Sequence, residues 1–434
     1  MRTNETKILI LLVLGLVAVV GCKTEQVYHA SDSVVAGPGT NFHTAFIEFD
    51  DQGELWEPHQ IEKAVHAIKT NQPVFLVTYV HGWKNNADFN NDNYIHFTNM
   101  LHALAEKLPE HGRMQVVGAY LAWRGDSVAY HDPISSVARQ LSFWSRMEAA
   151  ERVAGTSATE ALYSIMQAAN SNPNSKVILM GHSMGALILE KALSQAMVGS
   201  LLSGNPKSSK APADLVVLIN SAASSIQARQ LISMLGRLAP ESAEAPVGGS
   251  GTNSAPFSRE HPLVISATSK GDWATGKVFP LGMWFSSLGK SFRPYATNEV
   301  FGGKQASYYT TTPGHNENLW SHKIVRIDSG KVRKARSNLQ TEQEAFRTNL
   351  GSTDDRSIFK IGGHLYQVKR IPKSHNNTPY WVMQVPTAII KDHEDIFNDR
   401  FTGFIGGLFR MTEVTEKASP RRSLERKHFK QQAD

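Results

Sequence analysis

The chain has 434 residues, 41% of them hydrophobic, enough to bury a sizeable core as one elaborated domain or one domain with an insertion. The formal charge is +6, but much of it sits in residues 417–434, where six Lys and Arg face only Glu425 and Asp434. A high isoelectric point made by a tail does not argue for nucleic-acid binding by the fold, and a single cysteine, Cys22, excludes any intramolecular disulfide.

Residues 1–21 read as a signal peptide. Arg2 and Lys7 give a positive n-region, and residues 8–20 are continuously apolar, shorter than the ~20 residues a spanning helix needs. The run ends in Val19-Val20-Gly21-Cys22, which resembles a bacterial lipobox. That resemblance implies cleavage before Cys22 and lipid attachment to it. The mature chain is then expected outside the cytoplasm, in a bacterial cell envelope, held to a membrane through its amino-terminal lipid. The alternative is an uncleaved signal anchor with an incidental cysteine. Residues 22–45, with Gly37-Pro38-Gly39 and no usable apolar period, read as a polar linker.

The main domain is expected over residues 46–410. Pro73 precedes a buried-strand candidate at 74–80, and His81-Gly82-Trp83 follows. Residues 90–107 have helical spacing (Phe97, Met100, Leu101, Leu104), and 115–123 form another buried strand ending in Arg124-Gly125-Asp126. Residues 132–153 read as helical, and 157–169 as a helix leading into a short apolar strand at 177–180. That strand breaks at Gly181, and helical spacing returns at 186–196. A strand at 214–219 ends in Asn220-Ser221, with a helix at 226–238. Residues 239–258, mostly Pro, Gly, Ser, Ala and Glu, read as a mobile loop because the strand pattern resumes at 263–267. Ser269-Lys270-Gly271-Asp272-Trp273 follows that strand.

Residues 274–378 lack the alternation and are rich in aromatics, among them Trp284, Phe285, Phe292, Tyr308, Tyr309 and Trp320. Runs at 323–327 and 359–371 suggest a hairpin. The segment reads as an insertion before the last strand that shapes specificity over a pocket, or else as plain extra core. A last strand at 380–390 leads into Lys391-Asp392-His393 and a terminal helix at 400–409. The basic stretch 411–434 reads as a disordered tail. Alternating strand and helix predict an α/β fold with a doubly wound, mainly parallel sheet, whose ligands sit beyond the carboxyl ends of the strands.

The chemistry concentrates at Gly181-His182-Ser183-Met184-Gly185. Gly-x-Ser-x-Gly between a strand and a helix is the context of a nucleophile elbow, where a strained turn presents the serine Oγ. Acyl transfer also needs two N–H donors aimed at the developing alkoxide. Met184 supplies one through its backbone; the loop after residue 80 supplies the other, from Gly82 or Trp83. The serine needs a base, and position selects it among seventeen histidines. His393 follows the last strand and completes the order Ser, Asp, His; His315, inside the insertion, is the competitor. Asp272, at a strand end, is the acid that would hold the imidazole tautomer. Asp392 and Asp395 flank His393 but are sequence neighbours poorly placed for that task.

With these residues the chain resembles the α/β-hydrolase superfamily, especially bacterial esterase- and lipase-like serine hydrolases with a His-Gly-Trp oxyanion loop. The resemblance covers roughly residues 48–409; the long gap between Asp272 and His393 departs from it. It implies hydrolysis of a carboxylic ester or related acyl bond, on a small-molecule or lipid substrate, with no cofactor. No Cys/His spacing suggests a metal, and no phosphate loop is present. Two alternatives stand beside it: an acyltransferase or thioesterase with the same triad, and a non-catalytic hydrolase-fold protein acting as a surface binding module.

Overall fold

The computed structural model describes residues 27–37, 39, 42–107, 114–126, 142–202, 213–238, 262–294, 301–327, 358–361, 363–372, 374 and 376–418. The predicted leader with Cys22, the loop at 239–258 and the tail from 419 lie outside them. The architecture is α/β, with mainly parallel β-structure accompanied by helices. The chain divides into two compact units, Met1–Ser175 with Gly181–Ala196, and Lys176–Met180 with Met197–Asp434.

The first unit holds β1 (Val34–Ala36), β2 (Phe42–Phe49), β3 (Val74–Val80) and β4 (Gln115–Trp123), in the order β1-β2-β4-β3. β1 pairs antiparallel to β2; β2 and β3 both run parallel to β4. Its helices are α1 (His59–Ile68), α2 (Asp92–Lys107), α3 (Phe143–Val153) and α4 (Thr156–Asn170). Every residue of β3 is buried, the expected burial of a parallel strand covered on both faces. α2 seats Phe97 and Leu101 on β4 at Gly118, where an added Cβ would come within 2.3 Å of the Leu101 side chain. Both side chains are fully buried, worth about 2 kcal/mol each.

β2 and α1 went unforeseen, and they correct the predicted linker. Residues 34–36 and 42–45 are strand, and the chain is already docked at residue 28. The reason is a buried carboxylate. Glu48 of β2 accepts from the backbone N–H groups of Tyr28 (2.8 Å) and His29 (2.9 Å) and from Gln60 Nε2 of α1 (3.0 Å). Phe46 backs this clamp, its ring stacked on His29 with centroids 3.6 Å apart. A linker reading looks for apolar period, and here polar residues do the docking.

β5 (Lys176–His182) and α5 (Met184–Leu202) pass through both units. The second unit continues with β6 (Leu215–Ile219), α6 (Ser225–Leu238), β7 (Val264–Ser269) and a π-helical turn at Ala274–Val278. Then come α7 (Phe279–Ser287), α8 (Gln305–Thr310), and 3-10 turns at Pro313–His315 and Glu317–Leu319. β8 (His322–Ile327), β9 (Ile358–Ile361), β10 (His364–Arg370), β11 (Tyr380–Val385) and α9 (Asp399–Ala418) complete it. The strand order is β6-β7-β11-β8-β10-β9. β11 is parallel to β7 and β8, and β10 is antiparallel to β8 and β9.

The predicted runs at 323–327 and 359–371 are antiparallel strands: the first is β8, and the second divides into β9 and β10, with β10 paired to β8 and β9 outside it. This part of the insertion therefore extends the sheet past β11. β11 is shorter than the predicted 380–390, because Pro386 has no N–H for the ladder and its carbonyl accepts from Ile389 in a turn. α9 runs on to Ala418, so the first eight residues of the predicted tail are helix.

Candidate active site

In the first unit, β5 ends in the Gly181–Gly185 turn and Ser183 stands on it with φ 54°. That left-handed value strains a residue with a Cβ. The flanking glycines are needed for lack of space. A Cβ on Gly185 would lie 2.1 Å from the carbonyl oxygen of Val80 and 2.4 Å from that of His81; one on Gly181 would lie 2.7 Å from Cα of Ala186. The helix that begins at Met184 is thus pressed against the end of β3. Gly82 lies against the serine, its own missing Cβ being 3.0 Å from Ser183 Cβ.

The loop after β3 is fixed from several sides. His81 is fully buried. The Trp123 N–H donates to His81 Nε2 (3.2 Å), so Nε2 is the acceptor and Nδ1 carries the proton, donating to the Gly82 carbonyl (3.0 Å). The indole N–H of Trp123 donates to the His81 carbonyl (2.9 Å), and the two rings stack at an interplanar angle of 7°. Burial pushes the His81 pKa down to about 4, so the ring stays neutral and keeps this tautomer. Holding the Gly82 carbonyl fixes the plane of the Gly82–Trp83 peptide, and with it the direction of the Trp83 N–H.

Three residues to which the sequence assigned no part in the site finish the loop. Gly125 admits it, since a Cβ there would lie 2.7 Å from the carbonyl oxygens of both Gly82 and Asn85. Lys84, at φ 69°, turns the chain and donates from its backbone to the Gly125 carbonyl (2.9 Å). Asn85 Nδ2 donates to the Trp83 carbonyl (3.1 Å). Arg124-Gly125-Asp126 was visible as a strand end, but nothing local tied it to residue 82.

In the second unit, Asp272 follows β7 and is buried. His393 Nδ1 donates to Asp272 Oδ1 (2.9 Å), the Thr275 N–H donates to the same oxygen (3.0 Å), and the Thr275 hydroxyl donates to Oδ2. Burial alone would push this carboxyl up. The hydrogen bond and charge of His393 and the two Thr275 donors outweigh it, leaving the acid below its usual range and ionised. An ionised partner at Nδ1 leaves Nε2 of His393 as the basic nitrogen.

The loop carrying His393 is braced largely by polar contacts. Asn220, at the end of β6 with φ 46°, donates from Nδ2 to the carbonyls of Asp392 (3.2 Å) and His393 (2.9 Å). Its Oδ1 accepts from the Ser269 N–H (2.8 Å), tying the loop to the end of β7. The Ser269 hydroxyl donates to the Ile390 carbonyl (2.7 Å). Gly271 passes so close that a Cβ would lie 2.2 Å from the Lys391 carbonyl oxygen. Asp392 accepts from the N–H groups of Glu394 and Asp395 (3.2 Å each), and Asp395 from that of Lys391 (2.9 Å). Those two carboxylates shape the loop.

His315 sits in a 3-10 turn with its ring on the π-helical turn, where a Cβ on Gly276 would be 2.9 Å from its Cε1. Its buried Nε2 has no hydrogen-bond partner among the described residues. Burial lowers its pKa; the nearby Asp272 charge opposes that shift and Lys277 adds to it. Asp272 is therefore paired with His393 and within electrostatic reach of His315. Of the predicted residues, Ser183, Met184, Gly82 and Trp83 belong to the first unit, and Asp272 and His393 to the second. Cys22 is outside the described residues. No protein-family profile matches the chain, and no curated protein matches it.

Proposed function

We propose that the chain is a serine hydrolase of the α/β-hydrolase kind, cleaving a carboxylic ester or related acyl bond through an acyl-enzyme. The observation that carries this reading is the Asp272–His393 pair: a buried, ionised carboxylate on the one imidazole nitrogen that catalysis does not use. The positive φ of Ser183 on a Gly-x-Ser-x-Gly turn supports the same reading. Ser183 Oγ attacks the acyl carbonyl, and His393 Nε2 takes its proton. The N–H of Met184 and one from Gly82 or Trp83 hold the tetrahedral oxyanion. Collapse expels the alcohol, protonated by His393, and water repeats the sequence to release the acid. Asp272 keeps the tautomer and stabilises the imidazolium. No cofactor enters these steps. The enzyme is anchored by lipid on Cys22 to a membrane of a bacterial envelope, facing outside the cytoplasm, and takes a small-molecule or lipid ester.

Labelling with an active-serine phosphonate, together with hydrolysis of p-nitrophenyl esters of graded chain length, tests the proposal. Ser183→Ala abolishes both. His393→Ala loses hydrolysis and His315→Ala retains it; the reverse pattern would transfer the base to His315. A wild-type chain that neither labels nor hydrolyses would end the enzyme reading.

A further inference from the structure

Burial singles out one stretch of the second unit. Among the described residues the five most exposed large apolar side chains all lie within residues 273–288: Trp273 (68% exposed), Leu281 (61%), Trp284 (52%), Phe285 (58%) and Leu288 (63%). Their spacing is orderly. Phe279 and Met283, four apart, form the buried face of α7, while 281, 284, 285 and 288 fall on one opposing stripe. Trp284 and Phe285 meet edge to face, with centroids 4.9 Å apart. Exposed apolar surface on this scale marks an interaction site.

The charge around the stripe says what kind. From residue 273 to residue 294 there is no Asp or Glu, while Lys277, Lys290 and Arg293 are all exposed. Lys290 and Phe292 pack on Tyr309 of α8, with the ammonium 4.6 Å from the ring centroid. Apolar side chains that include two tryptophans, on a stretch whose charged residues from 273 to 294 are all cations, have the composition of a segment lying in an anionic lipid surface. A second copy fits worse, because a two-fold contact sets the same cations against one another. α7 has 9 residues, against the ~20 a crossing needs, so the contact is one of lying on the bilayer.

We propose that α7, with Trp273 before it and Leu288 after it, docks into the headgroup region of an anionic membrane, as a contact separate from any lipid on Cys22. Each of the three cations strengthens attachment roughly fivefold. The contact is independent of acyl transfer, so Ser183→Ala docks like the wild type.

The test is tryptophan quenching in the full chain by vesicles of phosphatidylcholine and phosphatidylglycerol whose acyl chains carry bromine. The chain has eight tryptophans, so the decisive comparison is with Trp273→Phe/Trp284→Phe. Wild-type fluorescence falls, less so with phosphatidylcholine alone or at high salt, and the double variant loses at least half of that fall. A smaller loss, or no fall in the wild type, overturns the proposal. Leu281→Ser/Phe285→Ser, at exposed positions, keeps the thermal midpoint and shows the same loss. A lipid-free dimer that this second variant dissolves would assign the stripe to a second copy and overturn it as well.

Discussion

Around Ser183 the backbone is placed by side chains that are missing: Gly181, Gly185 and Gly125 each stand where a Cβ would strike another strand, helix or loop, and Gly82 where one would crowd Ser183. Around His393, apart from the close pass of Gly271 against Lys391, it is placed by side chains that reach far. Asn220 crosses 173 positions of sequence to the His393 carbonyl, and Asp272 crosses 121 to its ring. Absence of a Cβ is a steric condition that tolerates no substitute. A hydrogen-bonded brace is a sum of contacts, and losing one degrades the geometry in proportion. The two ends should therefore fail differently, one through folding and the other through rate.

The sharpest contrast is at Asp272. Asp272→Asn keeps the packing but reverses the demand on Nδ1, and kcat for ester hydrolysis falls roughly 10⁴-fold, read from initial rates, with the urea midpoint nearly held. Gly185→Ala is the counterpart. Its new Cβ meets a carbonyl 2.1 Å away, and overpacking against backbone costs about 3 kcal/mol of folding stability, measured by urea unfolding. A stable, inactive Gly185→Ala would erase the distinction between the two ends.

Acid reaches the first end through His81. Its folded pKa is about 4 against an ordinary 6.5, so the unfolded ring takes a proton that the folded ring refuses. Stability is lost as pH falls from 6.5 to about 4 and the loss levels off below, by up to about 3 kcal/mol. His322, pushed down to about 3 by burial and Arg370, adds in the same direction. Asp272 acts elsewhere: its contribution stands above its ordinary 3.8 and is lost only as pH falls through its lower folded value. Urea unfolding at stepped pH therefore shows a slope between 6.5 and 4 that His81→Gln reduces without abolishing. An unchanged slope would place the whole penalty on other rings.

The smallest effect belongs to Asn220. Asn220→Gly relieves the φ of 46° but removes the bonds to residues 269, 392 and 393. A misplaced imidazole costs roughly 100-fold in kcat with KM little changed; a fall in KM-dependent terms alone would make Asn220 a packing residue.

This division also explains what the sequence made legible. β3, β4, β5 and α6 were read within a residue or two of their ends, because buried parallel strands are continuous apolar runs and amphipathic helices keep their period. The left-handed turn at Ser183 was legible because Gly-x-Ser-x-Gly fits in five consecutive residues. Asp272 and His393 could be chosen by order along the chain. Asn220 and Gly125 could be placed at strand ends but not given their tasks, and Thr275 could not be chosen at all, since their partners are defined only once the chain has folded. β2 and α1 were missed for a related reason: Glu48 and Gln60 look like surface residues until each supplies the other's hydrogen bonds.

The Glu48 clamp has a bearing on where the protein can work. It grips the backbone of Tyr28 and His29, and only six positions separate Tyr28 from Cys22. With a lipid on Cys22, as proposed, a fully stretched leash of that length spans about 20 Å. The folded body would then sit against its bilayer, with the docked end at Tyr28 never farther than that from the lipid surface.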